Sequence, residues 1–149
     1  MKVFAENKKA YFNYQILEKF EAGIVLLGHE VKSIKSGRIS LAGSYVVFKD
    51  EEAYLLNTNI PPYQPKNVPV DYNPNRLRKL LLKKSEIKYL IGKSREKHLT
   101  LVPLRVYTKR GKIKLEFGLG KGRKKASKKE LLKKRVIDRE IARELKLRG

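Results

Sequence analysis

Apolar and polar positions alternate in several short stretches of this chain, which is the pattern of half-buried β-strands. The alternation is cleanest over residues 112–117, with the sequence KIKLEF. Together with residues 99–108, this stretch predicts a hairpin whose turn is the segment KRGK. Residues 44–60 predict a second hairpin, which turns at Asp50-Glu51-Glu52.

An earlier strand-like region ends in the apolar run FEAGIVLL at residues 20–27. Gly23 lies inside this run, so we expect a bulge or a bend there, because a glycine offers no side chain to pack in a sheet. Pro103 cannot donate a ladder hydrogen bond, and it therefore predicts a bulge or an edge position in the middle of its strand.

Other segments have helical spacing. GHEVKSIKSG, at residues 28–37, places Val31 and Ile34 three positions apart and ends with Gly37, which predicts a short helix that stops there. Residues 61–75 contain five prolines and predict a long loop.

Two more helices are predicted after this loop. Pro74 can occupy the first position of a helix whose apolar face holds Leu77 and Leu80. Ser85 can begin a second one, which Gly92 would end.

Short strands at close spacing, interrupted by one pair of helices, predict a mainly β fold. The size suits an OB-fold-like closed barrel with a few short helices over residues 1–120, although periodicity alone leaves another small α+β fold open. Residues 121–149 are predicted to be a basic flexible tail. GLGKG, at residues 118–122, predicts a flexible joint between the two.

The tail has the pattern of an amphipathic basic helix. Ser127 and Glu130 have the spacing of a capping box, and Ile137, Ile141 and Leu145 recur every four residues. Isolated helices of this length are marginal in water, and clustered lysines repel one another. We therefore expect a tail that is disordered until bound and helical on a partner.

Charge points to the class of that partner. The formal net charge is +21, and the tail alone holds 13 Lys and Arg against 4 Asp and Glu. Such a surface attracts polyanions, and cations that contact phosphates release condensed counterions. RNA binding is therefore the first functional hypothesis. An anionic membrane is a weaker alternative, because the tail has no Trp, Phe or Tyr to anchor it.

Aromatic residues near the N-terminus support RNA binding. Tyr11, Phe12 and Tyr14 follow the basic pair Lys8-Lys9, and unpaired bases stack on such rings. Tyr14 is the best candidate of the three for a core position instead.

The sequence argues against an enzyme. There is no cysteine, and the two histidines, His29 and His98, lack metal-ligand spacing. Glu18, Glu21 and Glu30 could act as acid or base, but nothing assembles them with a nucleophile. We expect no catalysis, metal, cofactor or small-molecule ligand. With no signal-peptide core and no long apolar run, we expect a soluble cytoplasmic protein without a membrane partner.

Several segments, taken together, resemble the SsrA-binding proteins, a bacterial family also called small protein B (SmpB). They are NKKA (7–10), FEAG (20–23), GHEVKSIKSG (28–37), SYV (44–46), RLRKLLL (76–82) and GLGKGRK (118–124). Their order and spacing extend over nearly the whole chain.

The resemblance implies an adaptor that binds the tRNA-like domain of transfer-messenger RNA and delivers it to stalled ribosomes for rescue by trans-translation. It implies that the barrel stands in for the missing anticodon arm. The tail would enter the vacant mRNA channel, near the decoding centre, and become helical there. Elongation factor Tu and alanyl-tRNA synthetase are implied as indirect partners.

The resemblance also implies which residues contact RNA. In the barrel and at its end they are Asn7, Lys8, Lys9, Phe12, Glu21, Gly23, Glu30, Lys32, Ser33, Arg38, Arg76, Arg78, Lys79, Lys121, Gly122, Arg123 and Lys124. In the tail, the implied ribosome-binding residues are Lys125, Lys128, Lys129, Lys133, Lys134, Arg135, Arg139 and Arg143.

Two positions depart from the family pattern. Phe12 stands where the family usually has histidine. The phenyl ring keeps a face on which a base can stack, and it loses the polar edge of the imidazole. Ser127-Lys128-Lys129 replaces an Asp-Lys-Arg triplet, which keeps positive charge and loses the guanidinium geometry at residue 129. Two alternatives remain: a ribosomal or general OB-type RNA-binding protein, and an enzyme that acts on RNA.

Overall fold

The computed structural model describes residues 1–123 and 139–144 of the 149-residue chain. The elements in chain order are β1 (Lys2–Glu6), α1 (Lys8–Asn13), β2 (Tyr14–Ile24), α2 (Gly28–Lys35), β3 (Tyr45–Lys49), β4 (Glu52–Leu56), a 3₁₀ turn (Pro65–Asn67), β5 (Arg78–Leu81), α3 (Lys84–Ser94), β6 (Leu99–Lys109) and β7 (Lys112–Gly122). Residues 139–144 are helical as well.

The seven strands form one antiparallel sheet in the order β1-β6-β7-β2-β5-β4-β3. The sheet curls until β3, at one end, lies against β6, next to the other end. A groove lined by residues of β3, β6 and α3 runs between these two strands. The fold is therefore the mainly β barrel with a few short helices that the sequence predicts.

The interior of the barrel is apolar. Alternate residues of the long hairpin, among them Leu101, Leu115 and Phe117, are almost fully buried there. The other side of the same hairpin is covered in part by α1, where Ala10 packs with Leu104. The helix α1 is thus packed on the outside of the barrel.

Most predicted elements are confirmed. Both hairpins form, and the ladder of β6 is irregular between Pro103 and Arg105, where a bulge was expected. The helix α2 ends at Lys35, and Gly37 follows with a left-handed φ of 81°, as its stop position requires. The loop at residues 61–75 contains only the short 3₁₀ turn.

The helix predicted to start at Pro74 is wrong. Residues 78–81 form the strand β5, which pairs with both β4 and β2. The inward positions of this strand are Arg78 and Leu80, with Lys79 and Leu81 exposed between them. A charged residue therefore occupies one of the two inward positions, which hides the alternation of a strand. Leu77 and Leu80, three positions apart, then have the spacing of a helix.

Three predictions about glycines are also wrong. The irregularity in β2 lies between Ile16 and Glu18, while Gly23 keeps regular pairing. Gly92 lies inside α3, which continues to Ser94.

The third concerns the segment GLGKG, which is the end of β7 and not a joint. A Cβ on Gly118 would lie 2.8 Å from the Ile16 side chain, and one on Gly120 would lie 2.9 Å from Tyr14 Cβ. Glycine is needed at both positions because the Ile16 and Tyr14 side chains of β2 lie against the β7 backbone and leave no room for a Cβ atom. The division between a barrel and a tail at residue 120 stays a prediction, and the strand extends to Gly122.

The described part of the tail lies on the barrel. Ile141 is buried against Tyr54, Leu56 and Leu77, and the Leu77 amide donates a hydrogen bond to Glu144 Oε2 over 2.7 Å. This helical stretch agrees with the four-residue spacing of the sequence. The capping pattern at Ser127 and Glu130 and most of the tail lie outside the described residues. The expectation that the tail becomes helical on a partner stays a prediction.

Candidate nucleic-acid interface

The motif residues of α2 and β5 meet in a buried charged cluster, which we call the Glu30 cluster; it consists of Glu30, Tyr72, Arg76 and Arg78. Glu30 and Arg78 are both fully buried. Arg78 donates to Glu30 Oε2 from Nε over 2.9 Å and from Nη2 over 2.6 Å. Arg76 donates from Nε to the same oxygen over 3.0 Å, and its Nη2 contacts Oε1.

The remaining polar groups of the cluster are satisfied by the backbone. Arg78 Nη1 donates to the Thr58 carbonyl over 2.7 Å, and Nη2 donates to the Pro74 carbonyl over 2.9 Å. The Leu27 amide, at the start of α2, donates to Glu30 Oε1 over 2.8 Å. One carboxylate therefore connects the first turn of α2 with the loop at residues 61–75 and with β5.

Electrostatics within the cluster favour the ionised carboxylate. Burial raises the pKa of Glu30, but the hydrogen bonds from Arg76 and Leu27 and the charge of Arg78 outweigh it and lower the pKa to about 2. Burial and the neighbouring carboxylate raise the pKa of Tyr72 to about 12. The Tyr72 hydroxyl lies 2.9 Å from Glu30 Oε2 and accepts a hydrogen bond from Arg78.

Three of the predicted RNA-contact residues, Glu30, Ser33 and Arg78, are fully buried. Their contact with RNA stays a prediction that this burial does not support. Ser33 donates from its hydroxyl to the Pro61 carbonyl over 2.7 Å and holds the loop to α2. Arg76 is only partly exposed and is paired with Glu30, so these motif residues maintain the fold.

A second group of predicted residues lies on the surface, where α1 meets the end of β7. We call it the α1–β7 surface and define it by Lys8, Lys9, Tyr11, Phe12, Lys19, Lys121 and Arg123, all of which are exposed. Two contacts join the elements: the Arg123 amide donates to the Asn13 carbonyl over 3.0 Å, and Tyr14 pairs with Gly122.

Asn7 fixes α1 to the barrel. Its side-chain amide donates to the Pro103 carbonyl over 3.0 Å, and its backbone amide donates to the Leu104 carbonyl over 2.8 Å. Both acceptors lie at the bulge of β6, where the ladder is interrupted. Asn7 therefore positions the two lysines that follow it, and the bulge supplies the free carbonyls that it needs.

Phe12 is the most exposed aromatic residue of this surface. Its side chain is 82% exposed, and water does not favour such exposure of a ring. Tyr11, its neighbour, is also exposed, and Lys19 Nζ lies 5.5 Å from the centre of the Tyr11 ring. Exposed rings between lysines are suited to stack on unpaired bases while the cations contact phosphates.

A groove of about 500 Å³ borders the same surface. It is lined on one side by residues of the NKKA segment, among them Lys9, and on the other by residues 39–45, which precede β3. The segments NKKA and SYV, far apart in sequence, thus lie on two sides of one groove.

Glu21 and Gly23 lie further along β2. The Tyr107 hydroxyl donates a short hydrogen bond to Glu21 Oε2, and Lys109 Nζ lies 3.5 Å from the same oxygen. The hydrogen bond from Tyr107, opposed by burial and helped by Lys109, lowers the pKa of Glu21. Glu21 remains exposed, so its carboxylate is accessible at neutral pH. Gly23 faces Leu81 across the ladder.

The other predicted cations are separate from this surface. Lys32 and Arg38 are exposed on and after α2, where Arg38 Nη1 lies 3.4 Å from the Pro62 carbonyl oxygen. Lys79 is exposed on β5 and pairs with Glu52 over 3.1 Å.

In the tail, Arg139 and Arg143 are exposed on the helical stretch. The remaining tail residues lie outside the described residues: Lys124, Lys125, Lys128, Lys129, Lys133, Lys134 and Arg135.

Sequence reasoning missed two participants. Tyr72 completes the Glu30 cluster, but it lies in a proline-rich loop without periodicity, so no local signal marks it. Lys19 lies on β2, eight positions after Tyr11, and only the fold brings its ammonium group to that ring.

Within residues 1–123 and 139–144, no group of three acidic, histidine or cysteine residues is arranged to hold a metal ion. The helices of this part of the chain are too short or too polar to span a membrane.

Comparison with known proteins gives a match over nearly the full length. The sequence model of the family described as "SmpB protein" matches residues 4–147. The SsrA-binding protein of Sulfurihydrogenibium sp. (strain YO3AOP1) is 52% identical over 145 residues, which cover 97% of this chain and 95% of the relative. The SsrA-binding protein of Persephonella marina (strain DSM 14350 / EX-H1) is 48% identical over 146 residues, covering 98% and 95%.

A solved structure matches as well. It comes from work described as "tmRNA-SmpB: a journey to the center of the bacterial ribosome" and aligns with a TM-score of 0.67 at 43% sequence identity. The alignment covers 89% of this chain and 95% of that one.

Proposed function

The chain belongs to the SmpB protein family, and from this membership we propose that it is the RNA-binding adaptor that brings transfer-messenger RNA to stalled ribosomes in trans-translation. The observation that carries this proposal is the near full-length identity to SsrA-binding proteins together with the fold shared with SmpB. Because the ribosome is its site of action in this proposal, we expect the protein in the cytoplasm.

We assign the RNA contact to the α1–β7 surface. Its exposed lysines are free to neutralise phosphates, and the exposed Phe12 ring is free to stack on a base. The tRNA-like domain offers both chemistries, because its loops hold unpaired bases beside a folded backbone. Glu21 can accept hydrogen bonds from ribose hydroxyls or base edges on the neighbouring part of β2.

The tail has a different task in this proposal. It carries a dense positive charge, and β7 ends at its second residue, Gly122. We assign it to the vacant mRNA channel near the decoding centre, where ribosomal RNA supplies the phosphates that a cationic helix needs. The buried Glu30 cluster acts on neither partner and maintains the barrel that holds the two surfaces together.

A binding experiment with the full chain tests this division. A variant with Lys128, Lys129, Lys133 and Lys134 replaced by glutamine should bind a transcript of the tRNA-like domain as the unaltered protein does, and should lose ribosome rescue. A variant with Lys8, Lys9 and Phe12 replaced should lose affinity for the transcript itself. Loss of transcript binding in the tail variant alone would contradict the assignment.

Sequencing of co-purified RNA separates this function from its alternative. An adaptor for transfer-messenger RNA should enrich that one RNA above its cellular abundance. A general or ribosomal RNA-binding protein should instead recover ribosomal RNA in proportion to its amount, and that result would overturn the proposal.

A further inference from the structure

A cavity of about 350 Å³ lies between α1 and the outer face of the sheet. Its volume falls at the lower end of the range for small-ligand sites, about 300–1,000 Å³. Four elements of the fold contribute side chains to it: Lys8 and Tyr11 of α1, Lys19 of β2, Arg105 of β6 and Glu116 of β7. We call it the Arg105 cavity.

The bulge of β6 builds the wall of this cavity. Leu104 and Arg105 are consecutive residues, which a regular strand would point to opposite faces of the sheet. The register of β6 shifts between Pro103 and Arg105, and both Leu104 and Arg105 line the cavity. Bulges re-aim side chains in this way and are common beside functional sites.

Two neighbours hold the guanidinium group of Arg105. Glu116, directly opposite on β7, accepts hydrogen bonds from Nε over 3.1 Å and from Nη2 over 3.3 Å. The ring of Tyr107 lies against the guanidinium, with its centre 4.9 Å from Cζ. The group is thus fixed in its plane by a carboxylate and on one face by a ring, so a ligand that binds it has little side-chain freedom left to remove.

The surroundings of Arg105 favour a base over a phosphate. Its side chain is still 32% exposed, and it lies between two carboxylates, Glu116 on β7 and Glu6 opposite it on β1. Two negative charges repel a phosphate from this position, whereas the edge of a neutral base carries no charge.

The geometry of the pair selects the base. The hydrogen bonds to Glu116 use the edge of the guanidinium between Nε and Nη2, so the edge between Nη1 and Nη2 can serve a ligand. Guanine has two neighbouring acceptors, N7 and O6, which suit two parallel donors of an arginine. Adenine carries an amino donor in place of O6 and cannot accept both bonds.

The other residues of the cavity suit the rest of a nucleotide. Tyr11 is 45% exposed, and a base can stack on its ring. Lys8 and Lys19 are exposed and can contact the phosphates on either side of the base.

We propose that the Arg105 cavity binds one unpaired guanosine of the bound RNA, with Arg105 donating to N7 and O6 and with Glu116 as the positioning residue that aims it. Tyr11 stacks on the base, and Lys8 and Lys19 contact the flanking phosphates. Recognition of guanosine stands on the contacts described here, and only the identity of the RNA rests on the proposed function.

Short single-stranded RNAs with one variable base test the recognition. The full-length protein is titrated with UUGUU and with UUAUU, and the Nε–H signal of Arg105 is followed by NMR. UUGUU should bind about five- to 150-fold more tightly, and it should shift the Arg105 signal. Equal affinity for the two RNAs, or an Arg105 signal that does not respond to UUGUU, overturns the proposal.

Two base analogues identify the atoms that are recognised. UUGUU with 7-deazaguanosine lacks the N7 acceptor and should lose most of the preference over UUAUU. UUGUU with inosine keeps N7 and O6 and should retain it. A preference that follows the amino group of guanine instead contradicts the assignment to N7 and O6.

Arg105→Lys keeps the charge and removes the planar fork. It should abolish the preference for guanosine and leave the salt dependence of RNA affinity unchanged, and a merely structural ion pair would leave the preference intact. Glu116→Gln should weaken the preference, because Arg105 is then no longer aimed by a charge. Arg95→Lys, at an exposed arginine after α3, is the matched control and should keep it.

The dispersion of the sheet amides shows that each variant is folded. Arg105 and Glu116 are both partly exposed, so neither substitution should unfold the barrel. A folded Arg105→Lys protein that still prefers UUGUU overturns the proposal.

The mononucleotide 5′-GMP separates a free nucleotide from RNA. It presents the same base without a second phosphate, so it should bind more weakly than UUGUU. If 5′-GMP binds as tightly, the cavity is a site for a free guanine nucleotide, and the assignment to RNA is overturned.

A transcript of the tRNA-like domain made with 7-deaza-GTP connects the cavity with the proposed function. Its base pairs are intact, and the unaltered protein should bind it more weakly than the ordinary transcript, whereas Arg105→Lys should not distinguish the two. Equal binding of both transcripts by the unaltered protein overturns the assignment to this RNA. Failure of the ordinary transcript to bind overturns the proposed function, and the short RNAs still decide whether the cavity recognises guanosine.

Discussion

The Glu30 cluster and the α1–β7 surface use the same residue types in opposite environments. In the cluster, Glu30 and Arg78 are fully buried and their polar atoms are paired with one another or with backbone carbonyls. On the α1–β7 surface, the lysines and Phe12 face solvent. Both regions coincide with motif segments, but the residues of one are buried in the fold and those of the other are exposed to solvent.

A motif in a nucleic-acid-binding chain therefore does not by itself identify a contact. A buried charge must be paired, and removal of one partner leaves the other without compensation. An exposed charge costs little to keep and is available to a phosphate. Substitutions in the two regions should therefore separate stability from RNA affinity.

The largest expected effect is that of Arg78→Met. It leaves the Glu30 carboxylate buried with Arg76 as its remaining cation, so the free energy of unfolding should fall by about 3–5 kcal/mol. Urea denaturation followed by circular dichroism measures this change. Adding Glu30→Leu should recover a large part of the loss, because neither buried charge then remains. A stable Arg78→Met protein that fails to bind RNA would reverse the roles of the two regions.

The pH dependence of stability should come next in size. The pKa of Glu30 is lowered from 4.5 to about 2 in the folded protein, so its stabilisation is complete above the unfolded value and is lost as the pH falls through the folded one. We expect the free energy of unfolding to drop by about 3 kcal/mol between about pH 5 and pH 2. Glu30→Gln should be less stable at neutral pH and show a flatter profile over this interval.

Phe12→Ala tests the RNA affinity of the α1–β7 surface. Loss of one stacked base costs about 1–3 kcal/mol, which corresponds to about a five- to 150-fold weaker association with the tRNA-like transcript. Stability should not change, because the ring is exposed. Phe12→Tyr should retain binding, and Val70→Ala, at another exposed apolar residue, is the matched control. Equal binding by Phe12→Ala would remove the ring from the interface.

The smallest effect per residue concerns the lysines. Lys8→Gln with Lys9→Gln should reduce the slope of log affinity against log salt concentration by about 0.7–0.9 for each phosphate that the variant no longer neutralises. Titrations of the transcript at several salt concentrations measure the slope. Lys49→Gln, on the β3–β4 hairpin, should leave it unchanged, and an equal reduction there would indicate a diffuse charge effect.

Local patterns predicted the hairpins and α2 because the signals for these elements lie within a few residues. Alternation over 112–117 and the glycine after α2 needed no distant partner. The strand β5 was mistaken for a helix because Arg78 holds an inward position that local reasoning assigns to an apolar residue. Its compensation comes from Glu30, 48 positions earlier, and the spacing of RLRKLLL contains no trace of that pairing.

The candidate site divides in the same way. Resemblance supplied the motif residues, and the exposed lysines and Phe12 lie where an RNA contact is physically possible. It could not separate Ser33 and Arg78 from them, because burial is a property of the folded chain. The glycines of GLGKG suggested flexibility, whereas the side chains of Ile16 and Tyr14 require them in a strand.

The position of β7 makes the protein sensitive to incomplete synthesis. Among the strands of the described residues, β7 is synthesised last, yet it lies between β6 and β2, near the middle of the sheet. A nascent chain that stops before residue 112 leaves the edges of both neighbours unpaired, and such edges attract aggregation and degradation. Translation must therefore pass residue 122 before the strands that flank β7 have their full pairing.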